Sequence, residues 1–505
     1  MIVRKGNLMD YSKLQNGSDI RGVALEGIEG EHVNLTEDAA RAIARGFLVW
    51  LRKKNGKSAQ RIAFGRDSRI SGPDLCAWAA SEAVSYGAEV TVFGLASTPA
   101  MFMCTVEGEE PFDGAVMVTA SHLPWNRNGY KFFTKDGGLE KEDIKEILRA
   151  ASEGILPEKC GGGRLLEADF MEGYAGLLRR RIIEKTGSEK PLTGLRIVVD
   201  AGNGAGGFFV AKVLEPLGAD TTGSQFLEPD GRFPNHVPNP ENETAMAAIT
   251  EAVLKNHADL GIIFDTDVDR AGAVLPDGRE LNRNRLIAMI SAILLREQPG
   301  AWIVTDSITS TGLKDFIEAK GGVHHRFKRG YRNVINEMIR LRKEGHNALL
   351  AMETSGHGAL AENYFLDDGA YLMVRLLIEL ANARKEGRTL ESLIADLKEP
   401  KEAKEFRFKI LAEDFKTEGQ KVLDDLEKAA ETKENWFLVP NNYEGVRVNV
   451  GQGWFLLRLS LHDPILPLNV ESDEEGGLRP IVEELYDFLK EYEALDLAPI
   501  KAFLS

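Results

Sequence analysis

A chain of 505 residues, at about 150 residues per domain, is too long for a single small module and fits three or four domains. Hydrophobic residues make up 43% of it and charged residues 28%, which excludes a charge-rich disordered chain. With 62 Lys and Arg against 78 Asp and Glu the net charge is −16, so no general electrostatic grip on nucleic acid or anionic lipid is expected. Any anionic ligand must be held by local basic residues. The longest uncharged stretch, Val90 to Val106, is broken by Gly94, Ser97, Thr98 and Pro99 and falls short of the ~20 apolar residues that span a bilayer, so no membrane helix is expected. Residues 1–13, MIVRKGNLMDYSK, lack the apolar core of a secretory signal. Cys76, Cys104 and Cys160 are odd in number and widely spaced, which argues against a disulfide framework and a zinc site; a cytoplasmic location is expected.

Strand-like and helix-like segments alternate along the chain. Arg61 to Phe64 reads as a strand, Pro73 to Tyr86 as a helix, and Glu89 to Phe93 and Gly114 to Val118 as strands, separated by Gly or Pro. The pattern restarts with a strand at Leu195 to Asp200, helices at Gly207 to Leu217 and Thr244 to Lys255, and a strand at Leu260 to Phe264. It restarts again with helices at Leu286 to Leu295 and Gly312 to Lys320 and strands at Trp302 to Thr305 and Ala348 to Met352. From about Glu399 it changes: a strand at Glu405 to Ile410, a helix over Asp414 to Ala430, strands at Gly445 to Val450, Trp454 to Ser460 and Leu466 to Val470, and a last helix over Ile481 to Tyr492. The expected fold is therefore three related α/β domains with mixed sheets plus a C-terminal α+β domain, divided at residues 1–165, 166–278, 279–398 and 399–505. Cys160-Gly161-Gly162-Gly163 is the expected first linker, and the charged run from Lys398 to Glu405 the last.

The sharpest chemical signal is DTDVDR, where Asp265, Asp267, Asp269 and Arg270 follow the apolar run LGIIF. On an extended segment, alternate carboxylates would share one face. Two unit charges ~4 Å apart repel by about 4 kcal/mol at an effective dielectric of 20, so a converging trio calls for a cation, and Mg²⁺ prefers such oxygens. In MVTASHLPWNRNGYKFF, Met117 to Phe133, Ser121 follows a small apolar strand at a turn ending in Pro124, which would expose its hydroxyl where open α/β sheets place ligands. It is a candidate nucleophile, with His122 and Lys131 nearby, although a turn serine more often caps a helix or bonds locally. METSGHGA offers Glu353, Ser355 and His357 after a strand, and FGRDSRISG offers Arg66, Asp67 and Arg69; each alone fits an internal ion pair or a satisfied histidine.

Taken together and in order, these residues resemble the α-D-phosphohexomutases, which include phosphomannomutase/phosphoglucomutase and phosphoglucosamine mutase. The resemblance rests on GSDIRG at Gly17 to Gly22, GRDSRISG at Gly65 to Gly72, TASHLP with NGYK, VVDAGNGAGG at Val198 to Gly207, PDGRFPNHVPNP at Pro229 to Pro240, DTDVDR, ETSGH at Glu353 to His357, and DDG at Asp367 to Gly369. It implies four domains around a central cleft, with Ser121 carrying a phosphoryl group and one Mg²⁺ held by Ser121, Asp265, Asp267 and Asp269. It also implies a mutase that exchanges hexose 1-phosphate and hexose 6-phosphate through a bisphosphorylated sugar, which also serves as activator. By the same resemblance Arg21 and Lys131 flank the reacting oxygen, Arg270 braces the phosphoryl group and His357 assists proton transfer. Glu353 and Ser355 hold sugar hydroxyls, Arg332 of GYRNV lies in a further sugar-contacting loop, and the loop with Arg458 and Ser460 holds the non-reacting phosphate.

Two departures from the family pattern stand out: Leu123 replaces the usual Asn before Pro124, and the phosphate loop, usually Arg-x-Ser-(Asn or Gly)-Thr-Glu-Pro, reads Arg458-Leu459-Ser460-Leu461-His462-Asp463-Pro464. His462 either pairs with Arg458 on the phosphate or points to solvent. The readings weighed are a phosphomannomutase/phosphoglucomutase-type enzyme, a phosphoglucosamine mutase, a sugar-phosphate-binding homologue with weakened turnover, and a Mg²⁺-dependent phosphatase, which would leave TASHLP and ETSGH unexplained. The expected partners are small hexose phosphates, with no nucleic acid or membrane, and the chain is expected as a monomer or dimer.

Overall fold

The computed structural model describes residues 9–460 and 463–505, so His462 and Leu461 lie outside the described residues. It divides into two compact units, one of residues up to Leu286 with Ser355–Ser392, the other of Ile287–Thr354 with Leu393–Ser505.

In the first unit one mixed sheet runs, in spatial order, Gln15–Asn16, Asp19–Val23, Arg127–Thr134, Gly114–Val118, Arg61–Arg66, Glu89–Leu95, Arg164–Glu167. The last four strands are parallel and the first three pair antiparallel. Gly114–Val118 is buried at every residue, as a strand covered on both faces must be. The helix Glu37–Asn55 starts where the Thr36 side chain accepts the Ala39 N–H and stops at Gly56 with φ 66°. Its Ile43, Phe47 and Leu51 recur every four residues and are buried with the helices Gly72–Ser85 and Lys141–Ser152 in the core on this sheet.

The expected linker at Cys160–Gly163 is not one, because the chain re-enters the first sheet directly after it. Arg164–Glu167 pairs in parallel with Glu89–Leu95, and the boundary expected after residue 165 falls inside that strand. A Cβ on Gly163 would lie 2.2 Å from the Val84 carbonyl oxygen, so the glycine allows a close approach rather than a free hinge.

The second mixed sheet of this unit has the order Glu280–Leu281, Ala271–Val274, Leu260–Phe264, Ile197–Asp200, the last pair parallel. Helix Glu243–Asn256, capped by the Asn242 side chain, buries Ile249 and Val253 against Val198, Ile263 and Val274. The helix expected over Gly207 to Leu217 is present but shorter, helical over 208–214 with Val210–Leu214 a π-helix. Gly206 and Gly207 let the backbone close on Phe264 and on the Leu227 carbonyl, where an added Cβ would sit 3.0 and 2.4 Å away. Helix Gly369–Lys385 starts at Asp368, which accepts both the Tyr371 N–H and the Tyr174 hydroxyl, and packs on helix Met171–Thr186.

The second unit holds three parallel strands, Val323–Arg326, Trp302–Thr305 and Ala348–Met352. Its remaining sheet is wholly antiparallel, in the order Trp436–Leu438, Val446–Val450, Gly453–Leu457, Ile465–Ser472, Glu402–Ile410, Leu495–Asp496. The expected three-strand meander is its centre. Helices Phe415–Thr432 and Leu478–Leu489 bury Val422, Leu426, Val482 and Leu485 in the core built on that sheet. Among the described residues no helix is long and apolar enough to cross a membrane.

Gly129 marks the tightest strand contact around the Ser121 loop: a Cβ there would lie 2.1 Å from the Ile20 carbonyl oxygen and 3.0 Å from that of Thr119. Gly129→Ala is therefore expected to destabilise the protein by about 1–3 kcal/mol through forced separation of the Asp19–Val23 and Arg127–Thr134 strands. Urea unfolding compared with wild type checks this.

Candidate active site

Ser121, the Asp265–Arg270 turn and Asp67 with Arg69 stand beyond the C-terminal ends of the strands Gly114–Val118, Leu260–Phe264 and Arg61–Arg66, whereas Arg21 and Lys131 project from within the strands Asp19–Val23 and Arg127–Thr134. Asp265, Asp267 and Asp269 follow Leu260–Phe264, are buried, and present oxygens within 4.8 Å of one another. The convergence does not come from an extended segment. Residues 265–269 form a turn in which Val268 has φ 68°, a left-handed conformation rare for a β-branched residue, and this reversal turns the carboxylates inward.

Three buried carboxylates at such separation repel strongly, and the protein meets them with two buried cations. Lys131 Nζ donates to Asp267 Oδ2 at 3.0 Å and to Asp269 Oδ2; Arg270 Nε donates to Asp265 Oδ2 at 3.2 Å. Burial and the charges of Asp269 and Asp267 push the Asp265 carboxyl well above the usual range. Burial works the same way on Asp269, but Lys131, His357 and Arg270 outweigh it and hold that carboxyl below the usual range. Asp267 Oδ1 and Asp269 Oδ1 are buried with no hydrogen-bond partner. An all-oxygen set with orphaned carboxylate oxygens fits a hard divalent cation.

Ser121 sits at the end of Gly114–Val118 with φ 51° and is 2% exposed, so its hydroxyl is not displayed to solvent as the turn suggested. It is held between charges. Ser121 Oγ donates to Asp265 Oδ2 at 3.0 Å and accepts from Arg270 Nη2 at 2.9 Å, while its N–H donates to Thr119 Oγ1 at 2.9 Å. His122 Nδ1 lies 2.5 Å from Arg270 Nη2; burial, then the Arg270 charge, drives this imidazole down to about 2, so it is neutral and acts as acceptor.

Arg21 donates to Asp19 Oδ2 at 2.9 Å and to the Ala120 carbonyl at 3.3 Å, beside Ser121. His357 stands with Nδ1 2.5 Å from Asp367 Oδ2 and 3.8 Å from Asp269 Oδ1. Burial disfavours its imidazolium, but Asp367 and Asp269 outweigh burial and push it up to about 9. Ser355 is buried, and its hydroxyl has no hydrogen-bond partner within the protein.

In the second unit, Glu353 Oε1 accepts the Gly330 N–H at 2.6 Å, which fixes the start of the GYRNV segment carrying Arg332. Glu444 accepts from the Arg329 N–H at 3.2 Å and from the Ser307 hydroxyl. Arg458 is buried and its N–H donates to the Pro467 carbonyl at 3.0 Å, and Ser460 Oγ accepts the Asp463 N–H at 3.2 Å. A cavity of about 840 Å³ is bounded by Lys328, Arg329, Lys421, Glu444, Leu459 and Ser460.

Several supporting residues carry no motif signal of their own. Thr98 donates from Oγ1 to Asp267 Oδ2 at 2.5 Å and from its N–H to the Asp267 carbonyl at 2.8 Å. Asn239 accepts from Arg270 Nη1 at 3.3 Å. Their partners lie 169 and 31 residues away in sequence, which no local pattern records.

Family models described as phosphoglucomutase/phosphomannomutase alpha/beta/alpha domains I, II and III match residues 12–156, 172–278 and 282–400. A phosphoglucomutase of Neisseria gonorrhoeae is 31% identical over 90% of this chain and 93% of its own length. A phosphomannomutase/phosphoglucomutase of Pseudomonas putida is 30% identical over 92% of each chain. A crystal structure of a phosphoglucomutase/phosphomannomutase family protein from Burkholderia thailandensis superposes with a TM-score of 0.76 at 28% identity, covering 94% of this chain and 96% of that one. At 12% identity and a TM-score of 0.52, N-acetylphosphoglucosamine mutase of Aspergillus fumigatus, solved with GlcNAc-6P and magnesium, shares the fold over 87% of this chain and 79% of its own. The chain belongs to the phosphoglucomutase/phosphomannomutase family and is a phosphomutase.

Removing one carboxylate from the trio should loosen a bound cation while relieving repulsion in the metal-free protein. Asp267→Asn is expected to weaken Mg²⁺ or Mn²⁺ binding at least about tenfold in calorimetric titration. The His357 imidazolium is raised from about 6.5 in the unfolded chain to about 9 in the metal-free fold, so its stabilisation is fully present below about pH 6.5 and is lost as pH rises through about 9. The stability deficit of metal-free His357→Gln should therefore be largest at acid pH and shrink towards pH 9 in urea unfolding.

Proposed function

We propose that the chain interconverts hexose 1-phosphate and hexose 6-phosphate by way of a phosphorylated Ser121 and a bisphosphorylated sugar. The observation that carries this reading is the Ser121 hydroxyl held between Asp265 and Arg270 at the edge of the carboxylate trio. A hydroxyl in that place can carry a phosphoryl group whose charge Arg270 meets directly.

In the forward step the Oγ–P bond of phosphoserine breaks as a sugar hydroxyl oxygen bonds to phosphorus, and in net the proton given up by the sugar hydroxyl ends on the departing Ser121 Oγ. After the bisphosphorylated sugar reverses its ends, Ser121 Oγ takes the other phosphoryl group. Mg²⁺, held by Asp265, Asp267, Asp269 and a Ser121 phosphoryl oxygen, would supply charge neutralisation at phosphorus. Arg21 and Lys131 serve the reacting oxygen electrostatically and in proton transfer. His357, kept charged by Asp367 and Asp269, gives or recovers the travelling proton. Glu353 and Ser355 hold sugar hydroxyls, Arg332 belongs to the sugar-contacting segment, and Arg458, Ser460 and His462 hold the non-reacting phosphate. The relatives' names point to glucose and mannose phosphates as the substrates, and the fungal structure's GlcNAc-6P adds glucosamine phosphates to those worth offering.

Coupled assays with glucose 1-, mannose 1- and glucosamine 1-phosphate, each with Mg²⁺ and a trace of the matching bisphosphosugar, test this directly. At least one should turn over. Ser121→Ala should lose at least about a thousandfold in kcat while remaining folded, since it removes the carrier hydroxyl. Intact-mass analysis that finds no phosphate on the wild-type Ser121 peptide after incubation with bisphosphosugar refutes the reading.

A further inference from the structure

Arg69 has the most fully used guanidinium around the Ser121 loop, and nothing in the mechanism above employs it. Its side chain is completely buried. Nη2 donates to the carbonyls of Ser121 and of Leu123, the latter at 2.6 Å, and Nη1 donates to Pro124 at 2.7 Å and Arg127 at 2.8 Å. These four carbonyls are the backbone of the turn that carries Ser121. A buried loop must find partners for such groups, and one planar fork supplies all four.

Asp67 completes the brace from the other side of the same strand end. Its Oδ1 accepts the Arg69 N–H at 2.9 Å, and its Oδ2 accepts the Thr119 hydroxyl at 2.7 Å, whose oxygen in turn accepts the Ser121 N–H. Both the N–H and the C=O of Ser121 are thus tied to the Asp67–Arg69 pair. The outer face of Arg69 is covered by the PDGRFPNHVPNP segment, with the Phe233 ring centroid 5.3 Å from Cζ. A Cβ on Gly231 would meet the Ile70 nitrogen and the Ser68 carbonyl oxygen at 2.5 Å, so only glycine lets that segment close. A left-handed serine persists only where its surroundings over-determine it.

We propose that Arg69, charge-balanced by Asp67, is the positioning residue of the Ser121 loop, setting the left-handed conformation that holds Oγ between Asp265 and Arg270. It touches no reacting atom. The proposal rests on Ser121 being the phosphoryl carrier, and it predicts a loss in the chemical step rather than in substrate binding, because a displacement of about 1 Å at a reacting centre can cost on the order of 100-fold in rate.

The test compares Arg69→Lys and Phe233→Leu with Ile43→Val, which weakens the same domain's core without touching the loop. Lysine keeps the charge but cannot span four carbonyls, and leucine keeps the four hydrogen bonds but loses the cation–π cover. Arg69→Lys is expected to lower kcat and the rate of Ser121 phosphorylation by bisphosphosugar about 30- to 100-fold, with KM within about threefold of wild type. Phe233→Leu should show the same split at about three- to tenfold, and it carries the test if Arg69→Lys does not fold. A kcat per folded molecule no lower than that of Ile43→Val, or a raised KM with kcat retained, overturns the proposal. A wild-type chain that takes no phosphate on Ser121 defeats the functional reading instead. The brace is then judged by amide exchange over residues 119–127, which Arg69→Lys or Phe233→Leu must accelerate selectively; unchanged exchange overturns it.

Discussion

Three buried carboxylates within 4.8 Å of one another form the constraint on which the rest of the first unit depends. At such distances like charges repel by several kcal/mol even in a partly polar interior, so the arrangement cannot be a by-product of packing. Lys131 and Arg270 are drawn in because the trio is there, and Ser121 is within reach of Asp265 because Arg270 links both. Two oxygens, on Asp267 and Asp269, are still left without hydrogen bonds. That residual deficit is what a bound cation can relieve, which couples cation binding to the stability of the site.

The sheets provide the rigidity that such a concentration of charge requires. Leu260–Phe264 and Gly114–Val118 are buried along their whole lengths, so their C-terminal ends are fixed points from which short loops can place polar groups accurately. The loop after Glu89–Leu95 contributes Thr98, which bonds both the backbone and the side chain of Asp267 and so ties one sheet's edge to the other's functional turn. Apolar burial in the strands thereby offsets electrostatic cost at their tips.

Much of this was legible in the sequence, and the failures have physical causes. The strands at Arg61 to Phe64, Glu89 to Phe93, Gly114 to Val118 and Leu260 to Phe264 are found within two residues of their expected ends because short apolar runs between Gly, Pro and charged residues leave little freedom. The helix expected over Gly207 to Leu217 starts only after Gly207, whose backbone closes on the Leu227 carbonyl, a tertiary demand at its first turn. Cys160–Gly163 misled, reading as a linker where Gly163 admits the Val84 carbonyl. DTDVDR announced its chemistry but not its geometry: alternation suggested a shared strand face, whereas the turn at Val268 achieves the convergence. Thr98 and Asn239 were invisible because their roles exist only through partners distant in the chain.

Two of the strained backbone positions stand where the charges are. Ser121 and Val268 both occupy the left-handed region without being glycine, and each is the pivot of a functional turn. Each is also held by several independent bonds: Ser121 through Thr119 and Arg69, Val268 through the Asp265 carbonyl and the Gly369 N–H, with Gly369 so close that a Cβ would fall 2.6 Å from the Arg270 carbonyl carbon. A relaxed loop would let the serine and the carboxylates move apart and shed their repulsion. Keeping them together costs conformational energy at two residues, which Thr119, Arg69 and Gly369 help to hold, and electrostatic energy at three, which Lys131 and Arg270 offset. For this reason Asp67, Arg69 and Thr98 belong to the site as much as the carboxylates and cations they hold in place, and a substitution among them should act on geometry before it acts on affinity.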